Sequence, residues 1–227
     1  MNHLPTNVKL ISTQRFIYGG KSSGNFENFN LALHVNDCSE RVLDNRKILK
    51  VHYGLPSDPV WINQTHSSIC VEASSIEKTV DADASYTSTA GVVCAIMTAD
   101  CLPVFVSKKD GSMVGIAHAG WRGLVSGVVE NLINSFNSDG EDLVVHLGPA
   151  ISKNYFEVGE EVRELYLSKN VNFKRSFSIK DNKYYLDLYD AARVILEGFQ
   201  IKLISGGDRC TFKESSHFFS YRRDGIN

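Results

Sequence analysis

The chain has 227 residues, 43% of them hydrophobic and 22% charged, proportions that exclude a disordered or fibrous protein and allow a sizeable buried core. A net charge of −2 removes the electrostatic reason to expect a nucleic-acid backbone or acidic membrane surface as partner, and no apolar run approaches the roughly 20 residues that cross a bilayer. The N-terminal stretch lacks the layout of a secretory signal and the five scattered cysteines suit reduced thiols, so a cytoplasmic protein is expected.

Val8 to Ile11 and Arg15 to Tyr18 read as strand-like segments, followed by a loop through Gly19-Gly20-Lys21-Ser22-Ser23-Gly24-Asn25. With Ser39 as N-cap, the spacing predicts a helix that turns Val42, Leu43, Ile48, Leu49 and Val51 to one face. Short β-branched runs at Val60 to Ile62, Ile69 to Val71, Val92 to Met97, Leu102 to Val106 and Met113 to Ala117 predict strands. Apolar residues at 124, 125, 128, 129, 132, 133 and 136 predict one helix over Leu124 to Phe136, entered through Gly120 and Gly123. A strand at Leu143 to Leu147 ends in Gly148-Pro149. A helix over Leu186 to Phe199, with Asp187 near its start and Gly198 near its end, and a strand over Ile201 to Ile204 complete the list. Strands and helices do not alternate strictly, so the expected fold is of the α/β class, a mixed α+β layered sandwich. No linker or repeat divides the sequence, which points to a single domain over residues 1–227.

Four polar segments stand at the ends of these apolar runs, where a rigid scaffold can bring them into one cleft: Gln64-Thr65-His66, Thr98-Ala99-Asp100-Cys101-Leu102-Pro103, His118-Ala119-Gly120-Trp121-Arg122-Gly123 and Gly148-Pro149-Ala150-Ile151-Ser152. Two imidazoles and a thiolate suit zinc, and a catalytic zinc keeps three protein ligands with an open position. His66, Cys101 and His118 would form such a set. Separations of 35 and 17 residues match no compact zinc motif, so from the residues alone the histidines as hydrogen-bonded core residues and Cys101 as a small buried hydrophobe stand as the other reading. Arg122, in a Gly-rich turn entering a helix, can hold a phosphate or carboxylate, or pair at the surface. Asp100 can orient a ligand, take a proton from an activated water, or cap a strand end.

Together these segments closely resemble the YfiH-type family, whose members carry the labels polyphenol oxidase or laccase and are also described as purine nucleoside phosphorylases. The resemblance extends to Tyr18-Gly19-Gly20, Asn30-Leu31-Ala32-Leu33-His34-Val35, Asp44-Asn45-Arg46, Asp81-Ala82-Asp83-Ala84, Cys210-Thr211 and Phe219-Ser220-Tyr221-Arg222-Arg223. It implies a layered α/β fold of the cysteine hydrolase group and a zinc site of His66, Cys101 and His118. It also implies phosphorolysis of adenosine, inosine, guanosine and methylthioadenosine, with deamination of adenosine as a second activity. Purine nucleosides and phosphate are then the expected partners.

Such chemistry asks for phosphate held beside the ribose and for stabilised charge as the base departs, tasks for Arg122 with one of Arg46, Arg222 or Arg223. Asp100 with an activated water would serve deamination. Copper oxidation is the weaker expectation, since multicopper sites need many histidines and this chain has seven with no His-X-His pair. An amidohydrolase editing peptidoglycan precursors, with Cys101 as nucleophile and a histidine as base, is the main alternative, and a metal-stabilised module without turnover is a third. Relatives usually run a few residues past Ser-Tyr-Arg-Arg, whereas this chain stops at Asp224-Gly225-Ile226-Asn227, which bears on cleft closure and not on the ligands.

Overall fold

The computed structural model describes residues 3–225, so Ile226 and Asn227 of the short tail lie outside the described residues. The two N-terminal strand-like segments form no ladder. Their backbone bonds go to separate loops instead: Arg15 N donates to His217 O at 2.6 Å, while Arg15 O accepts from Phe29 N at 2.9 Å.

Helix α1 (Ser39–Tyr53) begins with Ser39 already inside it, Cys38 standing at the N-cap, and ends at Gly54 in the left-handed region (φ 59°). Its buried face is Val42, Asn45 and Leu49, narrower than the apolar pattern predicts, since Leu43 is 46% and Val51 82% exposed. The face rests on the N-terminal loops, and its polar member, Asn45, hydrogen-bonds them. The chain continues through β1 (Pro59–Val60), β2 (Cys70–Glu72), β3 (Ala84–Thr87), β4 (Val93–Cys94), β5 (Leu102–Lys108) and β6 (Val114–Ala119). The apolar runs at 60–62 and 92–97 thus supply only a two-residue parallel pair, β1 with β4.

Two helices, α2 (Trp121–Ser126) and α3 (Val128–Ser135), stand where the apolar spacing predicts one. Gly127, at φ 96°, breaks the run and closes α2 by donating to Gly123 O and Leu124 O. The spacing survives the break because both helices lie on β6. There follow β7 (Leu143–Leu147), β8 (Glu157–Val158), α4 (Glu160–Lys169), β9 (Phe177–Lys180), β10 (Lys183–Leu186), α5 (Leu188–Gly198), β11 (Leu203–Gly206) and α6 (Tyr221–Asp224). Asp187 caps α5, its side chain accepting from Asp190 N at 3.1 Å.

The main sheet has six strands in the order β11-β7-β5-β6-β3-β2. Its centre is antiparallel and its two outer pairs, β11 with β7 and β3 with β2, are parallel. This is the mixed α/β layered architecture that the sequence predicts. Val104, Val106, Ala117, Ala119, Val145 and Leu147 meet Leu124, Val128, Leu132, Ala192 and Leu196 in one buried cluster. Gly115 lets α3 come close: a Cβ there would stand 2.7 Å from Leu132 Cδ1. The period of two along β5 and β6 sends Pro103, Phe105, Ser107, Ile116 and His118 to the other face, the floor of a cleft of about 1060 Å³. No helix among the described residues is long and apolar enough to cross a membrane.

Candidate active site

His118 reaches the cleft because Ala117 and Ala119, its neighbours on β6, are committed to the helix side. Across the ladder it pairs in register with Pro103, and Cys101 directly precedes that strand. His66 arrives on the loop between β1 and β2 with a positive φ of 60°. One ligand atom from each of the three lies within 4.8 Å of the others. Cys101 Sγ and His66 Nε2 are 3.9 Å apart, near the roughly 3.6 Å edge of a tetrahedron built with ordinary zinc–sulfur and zinc–nitrogen bonds. Among the described residues this is the one group of His, Cys, Asp or Glu with such geometry.

Gly120 leaves room for it. A Cβ at that position would come to 2.8 Å from Cys101 Sγ and 3.2 Å from His66 Cδ2.

Behind the three stands Asp83, fully buried just ahead of β3. Its Oδ1 accepts from His118 Nδ1 at 2.7 Å and from His66 N at 3.0 Å. Its Oδ2 accepts from Ser67 N at 2.6 Å, Ser67 Oγ at 2.7 Å and Thr65 N at 3.1 Å. One carboxylate therefore fixes the His118 ring, leaving Nε2 for the cleft, and wraps the turn that carries His66. Burial alone would raise its pKa, but the bonds from His118 and Ser67 prevail and hold it down at about 2. Burial likewise opposes the charged forms of the other two groups. Hydrogen bonds from His118 and His66 nevertheless bring the Cys101 thiol down to about 7, and Asp83 with Cys101 raises His118 to about 9. Cys101 and His118 thus favour each other's charged forms. Nothing in the sequence pattern assigns Asp83 this place, although an acid between Ala82 and Ala84 at the start of a strand is a sign of a buried, and hence paired, carboxylate.

Asp100 sits otherwise than a proton carrier would. It is buried, at φ 96°, and its carboxylate accepts from Thr211 Oγ1 at 2.6 Å, Ser220 Oγ at 3.0 Å and Arg222 N at 2.7 Å. It clamps the C-terminal segment beside Cys101, and Ile151 N of the 148–152 segment braces its carbonyl at 2.9 Å.

The four arginines divide. Arg122 and Arg222 line the cleft. Arg122 stacks on Trp121 at 4.3 Å and is exposed, and Arg222 donates to Tyr155 O and Glu157 O at 3.4 and 3.1 Å. Arg46 instead backs the wall, stacked at 3.9 Å on Trp61 and bonded to Leu31 O at 2.9 Å. Arg223 has all five N–H groups committed, to Thr211 O, Phe212 O, Phe218 O and both oxygens of Asp224. Arg46 thus holds a cleft wall, and Arg223 ties the C-terminal turn.

Compared with known proteins, residues 10–227 match the family described as multi-copper polyphenol oxidoreductase laccase. The chain belongs to this family, the YfiH type. Its relatives include the purine nucleoside phosphorylase YfiH of Escherichia coli, 42% identical over 97% of this chain and 90% of that protein. A purine nucleoside phosphorylase of Haemophilus influenzae is 39% identical over 98% of this chain and 91% of its own. The solved structure of Neisseria meningitidis protein NMB0706 superposes with a TM-score of 0.94 at 42% identity, covering 99% of this chain and 92% of that one. The relatives' names support an enzyme of the purine nucleoside phosphorylase kind, and the family's description names copper, whereas the donors here are two imidazoles and one thiol.

Proposed function

We propose that the chain, as one catalytic unit over residues 1–227, is a zinc-dependent purine nucleoside phosphorylase acting on adenosine, inosine, guanosine and methylthioadenosine. The observation that carries this reading is the grouping of His66, Cys101 and His118 in a cleft that Arg122 and Arg222 also line. The relatives' names supply the reaction class.

The residues fit a zinc ion. The donor set mixes soft sulfur with imidazole, His118 is oriented by a carboxylate, and Gly120 leaves the space beside Cys101 open. When bound, the ion supplies a fixed positive charge and Lewis acidity at the cleft end. The chain's own groups do the rest. Arg122 and Arg222 hold the phosphate, as planar forks that match its oxygens.

Deamination of adenosine belongs to the same proposal as a second activity, with a proton carrier other than Asp100, whose oxygens are already occupied. One observation favours a second reading, a thiol amidohydrolase: Cys101, with its pKa lowered to about 7, has His66 Nε2 at 3.9 Å. Incubation of the purified protein with adenosine, with and without phosphate, separates the two. Phosphate-dependent release of adenine and ribose 1-phosphate supports the phosphorylase, and no release under either condition refutes it.

A further inference from the structure

One accessible imidazole in the cleft has no structural task. His34 lines the same cleft as the triad and Arg122, and no protein group among the described residues hydrogen-bonds its ring. The charge of Arg46, behind the same wall, acts on it.

The loop that carries it has no regular structure, yet a buried polar network fixes it. Asn45 of α1, fully buried, donates to Asn30 O at 2.8 Å and to Ser22 Oγ at 3.0 Å, and accepts from Lys21 N at 2.8 Å. Asp37 closes the loop from its other end, accepting from Asn30 Nδ2 at 2.9 Å and Ser22 Oγ at 2.6 Å. Arg46 pins the middle through Leu31 O at 2.9 Å. Asn45, Asn30 and Ser22 are all buried. Apolar contacts would stabilise such a loop with less at stake if one bond failed; what the network adds is a fixed position for the residues it encloses.

We propose that His34 is a substrate-binding residue of this site, hydrogen-bonding a polar edge of the bound nucleoside beside the triad. This rests on the phosphorylase reading. The surrounding walls, then the charge of Arg46, push the ring's pKa below the ordinary histidine value, so near pH 7 it is neutral and offers one N–H and one acceptor nitrogen. A neutral ring suits an uncharged nucleoside, while the phosphate is matched by the permanent cations Arg122 and Arg222.

The test is steady-state phosphorolysis of adenosine by the zinc-loaded parent, His34→Ala and His34→Gln, with the metal content of each measured. In His34→Ala the KM for adenosine rises about 10-fold or more, while metal content and the KM for phosphate stay within about twofold of the parent. His34→Gln, which keeps a donor and an acceptor, recovers part of the loss. Independently, adenosine slows modification of His34 by diethyl pyrocarbonate, read by mass spectrometry. Parent-like kinetics in His34→Ala, or labelling of His34 that adenosine leaves unchanged, overturns the assignment and leaves the phosphorylase reading standing. A parent that neither turns over nucleosides nor is protected by adenosine overturns both.

Discussion

Asp83 Oδ1 and His118 Nδ1 are 2.7 Å apart in the buried layer behind the cleft, and the same oxygen holds the backbone N–H of His66 at 3.0 Å. A single carboxylate thus governs two of the three metal-ligand candidates. Replacing Asp83 with Asn puts an amide N–H₂ among donors and frees the His118 tautomer. Metal affinity, measured by chelator competition, is expected to fall roughly 10- to 100-fold; unchanged affinity would show that the contact does not serve the ligands.

The same carboxylate makes stability depend on acid. Its folded pKa, about 2, lies below the ordinary 3.8, so the stabilisation is fully present above about pH 4 and is lost as the pH falls toward 2. The shift corresponds to roughly 2 kcal/mol. Denaturant titrations of the metal-free protein between pH 5 and 2 should show this loss in the parent and a smaller one in Asp83→Asn.

Gly120→Ala separates site from scaffold. The backbone there, at φ −67°, accepts any residue, so the cost comes from the new Cβ pressing on Cys101 Sγ and His66 Cδ2. The expected result is weakened metal binding with a thermal midpoint of the metal-free protein close to the parent's. A large drop in that midpoint without loss of metal affinity would place the role of Gly120 in folding.

The arginines give opposed phenotypes. Arg122→Ala should raise the KM for phosphate about 10- to 100-fold and leave stability unchanged, since its guanidinium is exposed and rests only on Trp121. Arg223→Ala should do the reverse. It strands the carbonyls of Thr211, Phe212 and Phe218, at a cost of about 1–3 kcal/mol in denaturant unfolding.

Much of this was legible in the sequence. Strands β5, β6 and β7 follow from compact apolar runs, and the polar segments at their ends do meet in one cleft, because alternation along β5 and β6 leaves His118 on the side away from Ala117 and Ala119. Other features had no periodic signature. Helix α4 buries only Val162 and Tyr166 among mostly polar residues, and the β9–β10 hairpin is largely exposed, so neither announces itself. The split of the 124–136 segment at Gly127 is hidden because the apolar face continues across it. The tasks of Asp83, Asp100 and Arg223 depend on partners 16 to 122 residues away, or on backbone carbonyls, which no local pattern encodes.

The most direct test of the central claim is the metal content of the purified parent and of Cys101→Ala, with adenosine phosphorolysis assayed on the same samples. About one zinc per chain in the parent, and loss of both metal and phosphorolysis in the variant, is the predicted result. A Cys101→Ala protein that keeps its zinc and its activity, or a metal-free parent that is fully active, would contradict it.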